Sequence, residues 1–351
     1  MTPNTSSNNF FRKLLNLCLA LSALYGIIIS IILLVRSRIT ENYKAIGYFN
    51  SFAQLLMLPM LILMPINFLL RPWLAWFQVI PVASFIAVYG RLFVPRQPPV
   101  NDGINRTIKV LTFNLHGEYL EPVLDILRSA NADIIALQEV SGIGADCFKT
   151  ALADQYPYRA LYTAQRKSHG QGILSRYPIT SHDYWRNPHI AHESLGHLRV
   201  EIDFFGIPIT VYNTHPIHPG VANDGFDTRP RGQEIDIVLE KAAQDSGSVL
   251  LMGDFNMTDQ HEDYQRVTAR FGDGFREVGS GMGFTFPDLS GIQSMPDYWP
   301  LPIRPFPFLR LDYIFHDKSF RPMSAHVWPT SAGSDHRPIQ VEFTLVNGER
   351  E

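Results

Sequence analysis

Hydrophobic and polar positions divide this chain into two stretches with different rhythms. Residues 14–35 are apolar almost throughout, with Asn16, Ser22 and Ser30 as the polar exceptions. About 20 such residues, wound as a helix, cross a hydrocarbon layer roughly 30 Å thick. Residues 45–70 form a second apolar run, interrupted by polar residues such as Asn50, Gln54 and Asn67. Residues 73–89 form a third, in which Trp73, Trp76 and Tyr89 suit a membrane–water interface. Arg71-Pro72 is a natural break between the second and third runs. A cleavable secretory signal has a shorter apolar core that ends at small residues. Here the first run is longer and ends in Arg36, which predicts a retained helix. The pattern predicts a multi-pass cell-membrane anchor over residues 1–91, made of about three transmembrane helices, with the lipid bilayer as its partner.

From residue 107 the runs become short. Residues 107–113, 133–137, 173–175, 198–204, 207–212, 248–252, 309–315 and 339–344 read as strands, and Gly206 marks a hairpin turn. Residues 120–129 and 233–243 carry apolar side chains at helical spacing. Strands interspersed with helices predict an α/β domain over 107–351 with its core between stacked sheets. Residues 92–106 contain three prolines and little periodicity, and read as the linker.

Charge sharpens the division. Of 30 Lys+Arg and 33 Asp+Glu, residues 1–97 hold eight basic residues and one acid, Glu41. From residue 98 onward there are therefore 22 basic and 32 acidic residues, a balance of −10, together with all twelve histidines. That excess opposes a broad basic footprint for duplex DNA but not a local phosphate site, because a bound cation inverts the local sign. Counting Lys and Arg on either side of three spans gives five against three, too even to set which side the domain faces. Two distant cysteines imply no disulfide framework. Nothing points to a protein partner, and the spans carry no charge that would mark an ion path.

The chemistry lies where strands stop. Asn114 follows VLTF, Glu139 follows IIALQ, His215 follows TVYNT, Asp254 and Asn256 follow VLLMG, and Asp335-His336 precede RPIQVEF. Asp312 interrupts LRLDYIF. Buried runs rarely carry charge unless it is paired or binds metal. Each motif alone reads as a turn or cap, whereas six together call for one explanation. Phosphodiester hydrolysis supplies it: a hard cation held by Glu139 and Asp335, a base such as His336 oriented by Asp312, amides Asn114 and Asn256 on phosphate oxygens, and His215 as a donor to the phosphate or leaving group.

The ordered set FNLHG, ALQEV, GILSRYPI, YNTHP, GDFN, LDYIF and SDHRPI, over roughly residues 107–345, resembles the endonuclease/exonuclease/phosphatase (DNase I-like) superfamily. The resemblance implies a four-layered α/β sandwich behind the transmembrane helices, with the site at one edge of two packed sheets. It implies Mg²⁺, or Mn²⁺ in its place, at Glu139, Asp335 and Asn114. It implies catalytic roles for His215, Asp254, Asn256, Asp312 and His336, and substrate contacts from Asn114, Asn256 and His215. The expected activity is a membrane-anchored phosphodiesterase acting on a phospholipid or sphingolipid head group or on nucleic acid. The alternative is a catalytically silent, membrane-tethered module that binds phospho-ligands. The NTH histidine leans away from apurinic endonucleases. Arg229 and Arg231 are both candidates for a phosphate-contacting arginine, and the sequence does not choose between them.

Overall fold

In the computed structural model, residues 5–94, 106–116, 121–163, 169–192, 194–220, 225–290 and 306–346 are described. The chain forms two compact units, Met1–Val94 and Pro95–Glu351. Most of the expected linker (95–105), with Asn105 of the formal glycosylation sequon Asn105-Arg106-Thr107, and residues 291–305, part of a stretch over 287–308 rich in proline and aromatics, lie outside the described residues.

The first unit is helical. Helix α1 (Thr5–Arg36) covers the first apolar run. The second run does not make one straight helix. It is split into α2 (Lys44–Met57) and α3 (Met60–Leu70), bent by 52° around Leu58-Pro59. Pro59 cannot supply the amide hydrogen that a continuous helix would need there. Arg71 leaves helical geometry at φ −150°. Then α4 (Pro72–Ala75), a short 3₁₀ turn and α5 (Val79–Tyr89) run on as one apolar segment. Two helices, Asn9–Arg36 and Pro72–Phe93, are long and apolar enough to cross a membrane, and the bent pair makes a third only if both arms count as one span.

The second unit contains two six-stranded sheets among the described residues. In chain order its elements are β1 (Thr107–Asn114), α6 (Glu121–Ala130), β2 (Ile134–Gln138), α7 (Gly142–Ala151), β3 (Tyr158–Tyr162), β4 (Gln171–Ser175), β5 (Ile179–Trp185), β6 (Gly196–Phe204), β7 (Ile207–His215), α8 (Arg229–Ala242), β8 (Ser248–Asp254), α9 (Glu262–Thr268), β9 (Gly272–Asp273), α10 (Gly274–Val278), β10 (Asp312–His316), β11 (Phe320–Val327) and β12 (Ile339–Leu345). The sheet orders are β11-β12-β1-β2-β4-β3 and β5-β6-β7-β8-β10-β9. Each has one parallel pair near its centre, β1·β2 in the first and β7·β8 in the second.

Alternation along the strands builds the layers. Val110, Ile134, Ala136 and Ile173 of one sheet face Leu198, Val200, Val211, Leu250 and Ile314 of the other. The opposite faces are covered by helices: Leu111, Ile135 and Leu174 meet α6 and α7, while Leu251, Tyr313 and Phe315 meet α8 and α9. The result is helix, sheet, sheet, helix, the sandwich expected from the sequence. The hairpin at Gly206 closes through Phe205 and Gly206, both at positive φ, in the manner of turns whose twist suits paired strands.

Candidate active site

The parallel pairs place the chemistry. β1 and β2 run side by side in register, so Asn114 ends one beside Gln138 of the other, and Glu139 follows immediately. β7 and β8 likewise bring Thr214 beside Gly253, which puts His215 next to Asp254. Gly253 is required there: a Cβ would stand 2.0 Å from the Thr214 carbonyl oxygen. β10 runs antiparallel to β8 with Asp312 opposite Asp254. The loop before β12 carries Ser334, Asp335 and His336.

These side chains meet at one edge. Asn114 Nδ2 donates to Glu139 Oε1 (3.2 Å) and to Asp254 Oδ2 (3.0 Å). The same Asp254 oxygen faces His215 Nε2 at 3.4 Å and His336 Nε2 at 3.6 Å. His336 Nδ1 lies 2.8 Å from Asp312 Oδ2. Ser334 ties the loop down by donating to the Asn114 carbonyl (2.7 Å) and accepting from the His336 amide (3.1 Å). Asn256 sits beside this group rather than in it. Its amide donates to the Pro216 carbonyl (3.0 Å), and its backbone N–H donates to Asp254 Oδ1 (2.9 Å). Asp335 reaches His116 Nδ1 at 3.1 Å. The structure therefore gathers Asn114, Glu139, His215, Asp254, Asp312 and His336, with Asp335 at the flank through His116.

Backbone geometry marks the same place. His116, Glu139 and Asn256 have φ between 50° and 55°, in the left-handed region that side chains with a Cβ rarely adopt. Such positions cost of order 1–3 kcal/mol and persist where the surroundings hold them. His116 escaped sequence reasoning, although it lies inside FNLHG. Its imidazole becomes relevant only through the tertiary contact with Asp335.

Burial and charge act against each other here. Burial alone would raise the Asp254 pKa, but the charge of His336 and the hydrogen bond from His215 hold it well below the usual carboxylate range. Burial keeps the Asp312 carboxyl above that range despite His336. Burial would lower the His336 pKa, yet Asp312 and Asp254 push it up. His215 is likewise raised, because Asp254 and Glu139 outweigh its desolvation. Asp254 is thus an anion facing imidazoles that favour their charged forms.

A divalent ion fits this donor set. Among the described residues no Lys or Arg pairs with Glu139, Asp254 or Asp312, so the imidazoles are their only positive neighbours. The Glu139 side chain is 17% exposed, and among the described residues only its Oε1 is engaged. Asp254, Asp312 and His336 also offer three atoms within 4.8 Å of one another. The atoms joining Asp312 and His336 are already bonded to each other, so this trio reads as a charge relay pair beside an anion. Asn114 accepts the His116 N–H on Oδ1 (3.0 Å), so as a ligand it would need its amide turned.

Residues 111–336 match the endonuclease/exonuclease/phosphatase family. The chain belongs to that family. An uncharacterized protein, YbhP of Escherichia coli, is 24% identical over 267 residues, covering 68% of this chain and 97% of the relative. The fold is similar to that of a family member from Bacteroides vulgatus (TM-score 0.54, 16% identity, 69% of this chain and all of that one). It is also similar to D. rerio TDP2 complexed with a single-strand DNA product (TM-score 0.53, 17% identity, 68% and 99%).

Within this family member the two arginine candidates separate. Arg231 is fully buried: Nε donates to Asp263 (2.6 Å) and Nη1 to the Asn256 carbonyl (2.8 Å). One helical turn on, buried Glu234 accepts the Ile217 amide (2.7 Å) and bonds Ser194. With the Asn256–Pro216 bond, α8 fixes the loops behind His215 and Asp254 relative to each other. Arg229 is exposed and chelates Asp227 (2.6 Å). Among the described residues neither pairs with Glu139, Asp254 or Asp312. His197, whose spacing from His189 and His192 fits no strong zinc pattern, packs under α8 against Thr214 (2.6 Å) and Glu234 (3.8 Å).

Proposed function

We propose that this protein is a membrane-anchored, Mg²⁺-dependent phosphodiesterase. The observation that carries the reading is the convergence of Asn114, His215 and His336 on one oxygen of the Asp254 anion, beside a half-open Glu139. Glu139 and Asp335, with Asn114 after an amide turn, would hold the ion. It would supply positive charge for the phosphate oxygens, and Mn²⁺ would serve in its place.

The residues then divide the work. Asp254 orients the attacking water and accepts its proton. The water oxygen bonds to phosphorus as the ester P–O bond breaks. His215 gives its proton to the departing oxygen. The imidazolium of His336, held in place by Asp312, faces the charge that builds on the phosphoryl oxygens. Asn256 holds its loop and presents the edge to substrate. A membrane tether favours a phospholipid or sphingolipid head group. The likeness to a TDP2 bound to DNA product keeps single-stranded nucleic acid as the second class.

The test is a hydrolysis panel on the full chain in detergent with Mg²⁺, covering DNA, RNA, sphingomyelin, glycerophospholipids and inositol phosphates. Turnover of one class, abolished by EDTA and restored by Mg²⁺, supports the reading. Binding across the panel without turnover would establish the silent phospho-ligand module instead.

A further inference from the structure

We infer that Arg186 is the arginine that binds substrate phosphate, at an anion subsite beside His215. The inference rests on the phosphodiesterase reading for its ligand.

The strand register puts Arg186 there. Trp185 ends β5 opposite His197 of β6, so Arg186 comes level with Gly196. Gly196 is in turn paired with His215. A residue without a side chain is thus all that stands between Arg186 and His215 across the sheet. Tyr184, two residues earlier and on the same face, reaches across the gap between the sheets to the His169 carbonyl (2.9 Å). His169 leads into Gly170, whose carbonyl accepts the Val140 amide directly after Glu139 (3.1 Å). The Arg186 guanidinium therefore lies at the mouth between the His215 and Glu139 edges.

It is also held ready. Nε donates to the Ser194 carbonyl (2.7 Å), and Nη2 approaches His169 Nε2 at 3.5 Å. Ser194 is itself anchored by Glu234. Among the described residues Nη1 has no hydrogen-bond partner and no carboxylate pairs with Arg186. A half-buried guanidinium beside a strongly acidic site, with no carboxylate partner, presents its open edge to an anion. Planar N–H groups on phosphate oxygens suit that task better than a lysine does. Arg231, spent on Asp263 and Asn256, and Arg229, spent on Asp227, do not offer this.

The experiment uses the full chain in detergent with Mg²⁺ and two probes. Inorganic phosphate reports the subsite through the rise in melting temperature it causes, and bis(p-nitrophenyl) phosphate reports turnover. Arg186→Gln is expected to weaken phosphate stabilisation and raise KM by about ten- to a hundredfold, with kcat changed less. Arg229→Gln should leave both at wild-type values. If Arg186→Gln does not fold, Arg186→Lys keeps the charge and stem, and should weaken phosphate binding without lowering the melting temperature in its absence. Wild-type phosphate stabilisation and KM in either folded variant would overturn the assignment. An inactive wild-type protein that still binds phosphate through Arg186 would refute the hydrolase reading and leave the subsite standing.

Discussion

In the helical unit the buried polar side chains described are hydroxyls and amides, with Glu41 as the exception. Asn67 donates to the Ser22 hydroxyl (2.6 Å), Gln78 donates to the Ser22 carbonyl (3.0 Å), and Tyr25 donates to the Leu56 carbonyl (2.6 Å). The single acid, Glu41, takes the Asn50 amide at 3.2 Å. In the sandwich the buried polar groups at the site are carboxylates and imidazoles. Neutral groups can be stitched between helices with a few hydrogen bonds, and they stay cheap to bury once bonded. Ionised groups stay costly even when paired. Inside the sandwich they are either paired, as Arg231 is with Asp263, or gathered at the candidate site. The first unit is thus held together mainly by neutral hydrogen bonds, whereas the second gathers ionisable groups at the candidate site.

Substitutions should break the two units differently. The largest expected effect is on turnover: Glu139→Ala or His336→Ala should lower hydrolysis by about a thousandfold or more, with the circular dichroism spectrum unchanged. Near-normal turnover by either folded variant would remove the site residues from the mechanism. Next comes the scaffold behind the site. Arg231→Ala removes one of the two arginines on the buried Asp263 carboxylate, leaving Arg266, and takes the donor from the Asn256 carbonyl, so it should cost about 1–3 kcal/mol in a denaturant titration. Arg231→Lys should restore little, because one ammonium cannot serve both Asp263 and the Asn256 carbonyl.

Acid should act on the same scaffold. Burial would raise the Glu234 pKa, but His197, Ser194 and the Ile217 amide together hold it below the ordinary glutamate value. A depressed carboxyl adds stability that is complete above its unfolded pKa of about 4.5 and is lost as pH falls through the folded value. Melting temperatures of wild type and Glu234→Gln should therefore converge as pH drops below about 4.5; parallel curves would contradict this. The smallest effect belongs to the helical unit. Asn67→Ala removes one bond to Ser22, and should cost about 0.6 kcal/mol in a detergent unfolding assay.

How much of this was legible depended on whether local sequence carried the cause. β1, β2, β7, β8 and β12 are largely buried on both faces and read as apolar runs. Their polar endings pointed to Asn114, Glu139, His215, Asp254 and His336, because a charged group ending such a run is locally conspicuous. β5, by contrast, is largely exposed along ITSHDYW, so no alternation signalled it. β3 and β11 are edge strands of their sheet, with mixed exposure. The break at Leu58-Pro59 was hidden because proline sits in an otherwise unbroken hydrophobic stretch. Arg186, His116 and the α8 pair Arg231–Glu234 owe their places to register and tertiary contact, which no short motif encodes. Choosing between Arg229 and Arg231 needed the burial of one and the Asp227 partner of the other.

The central claim is that the buried carboxylates serve a divalent ion in breaking a phosphoester. Its most direct test is bis(p-nitrophenyl) phosphate hydrolysis by the full chain across a range of free Mg²⁺, for wild type and Glu139→Gln. The account predicts saturable dependence on Mg²⁺, silence in EDTA, and a Mg²⁺ requirement raised at least about tenfold in the variant. Turnover that persists in EDTA, or a Mg²⁺ dependence unaltered by Glu139→Gln, would contradict it.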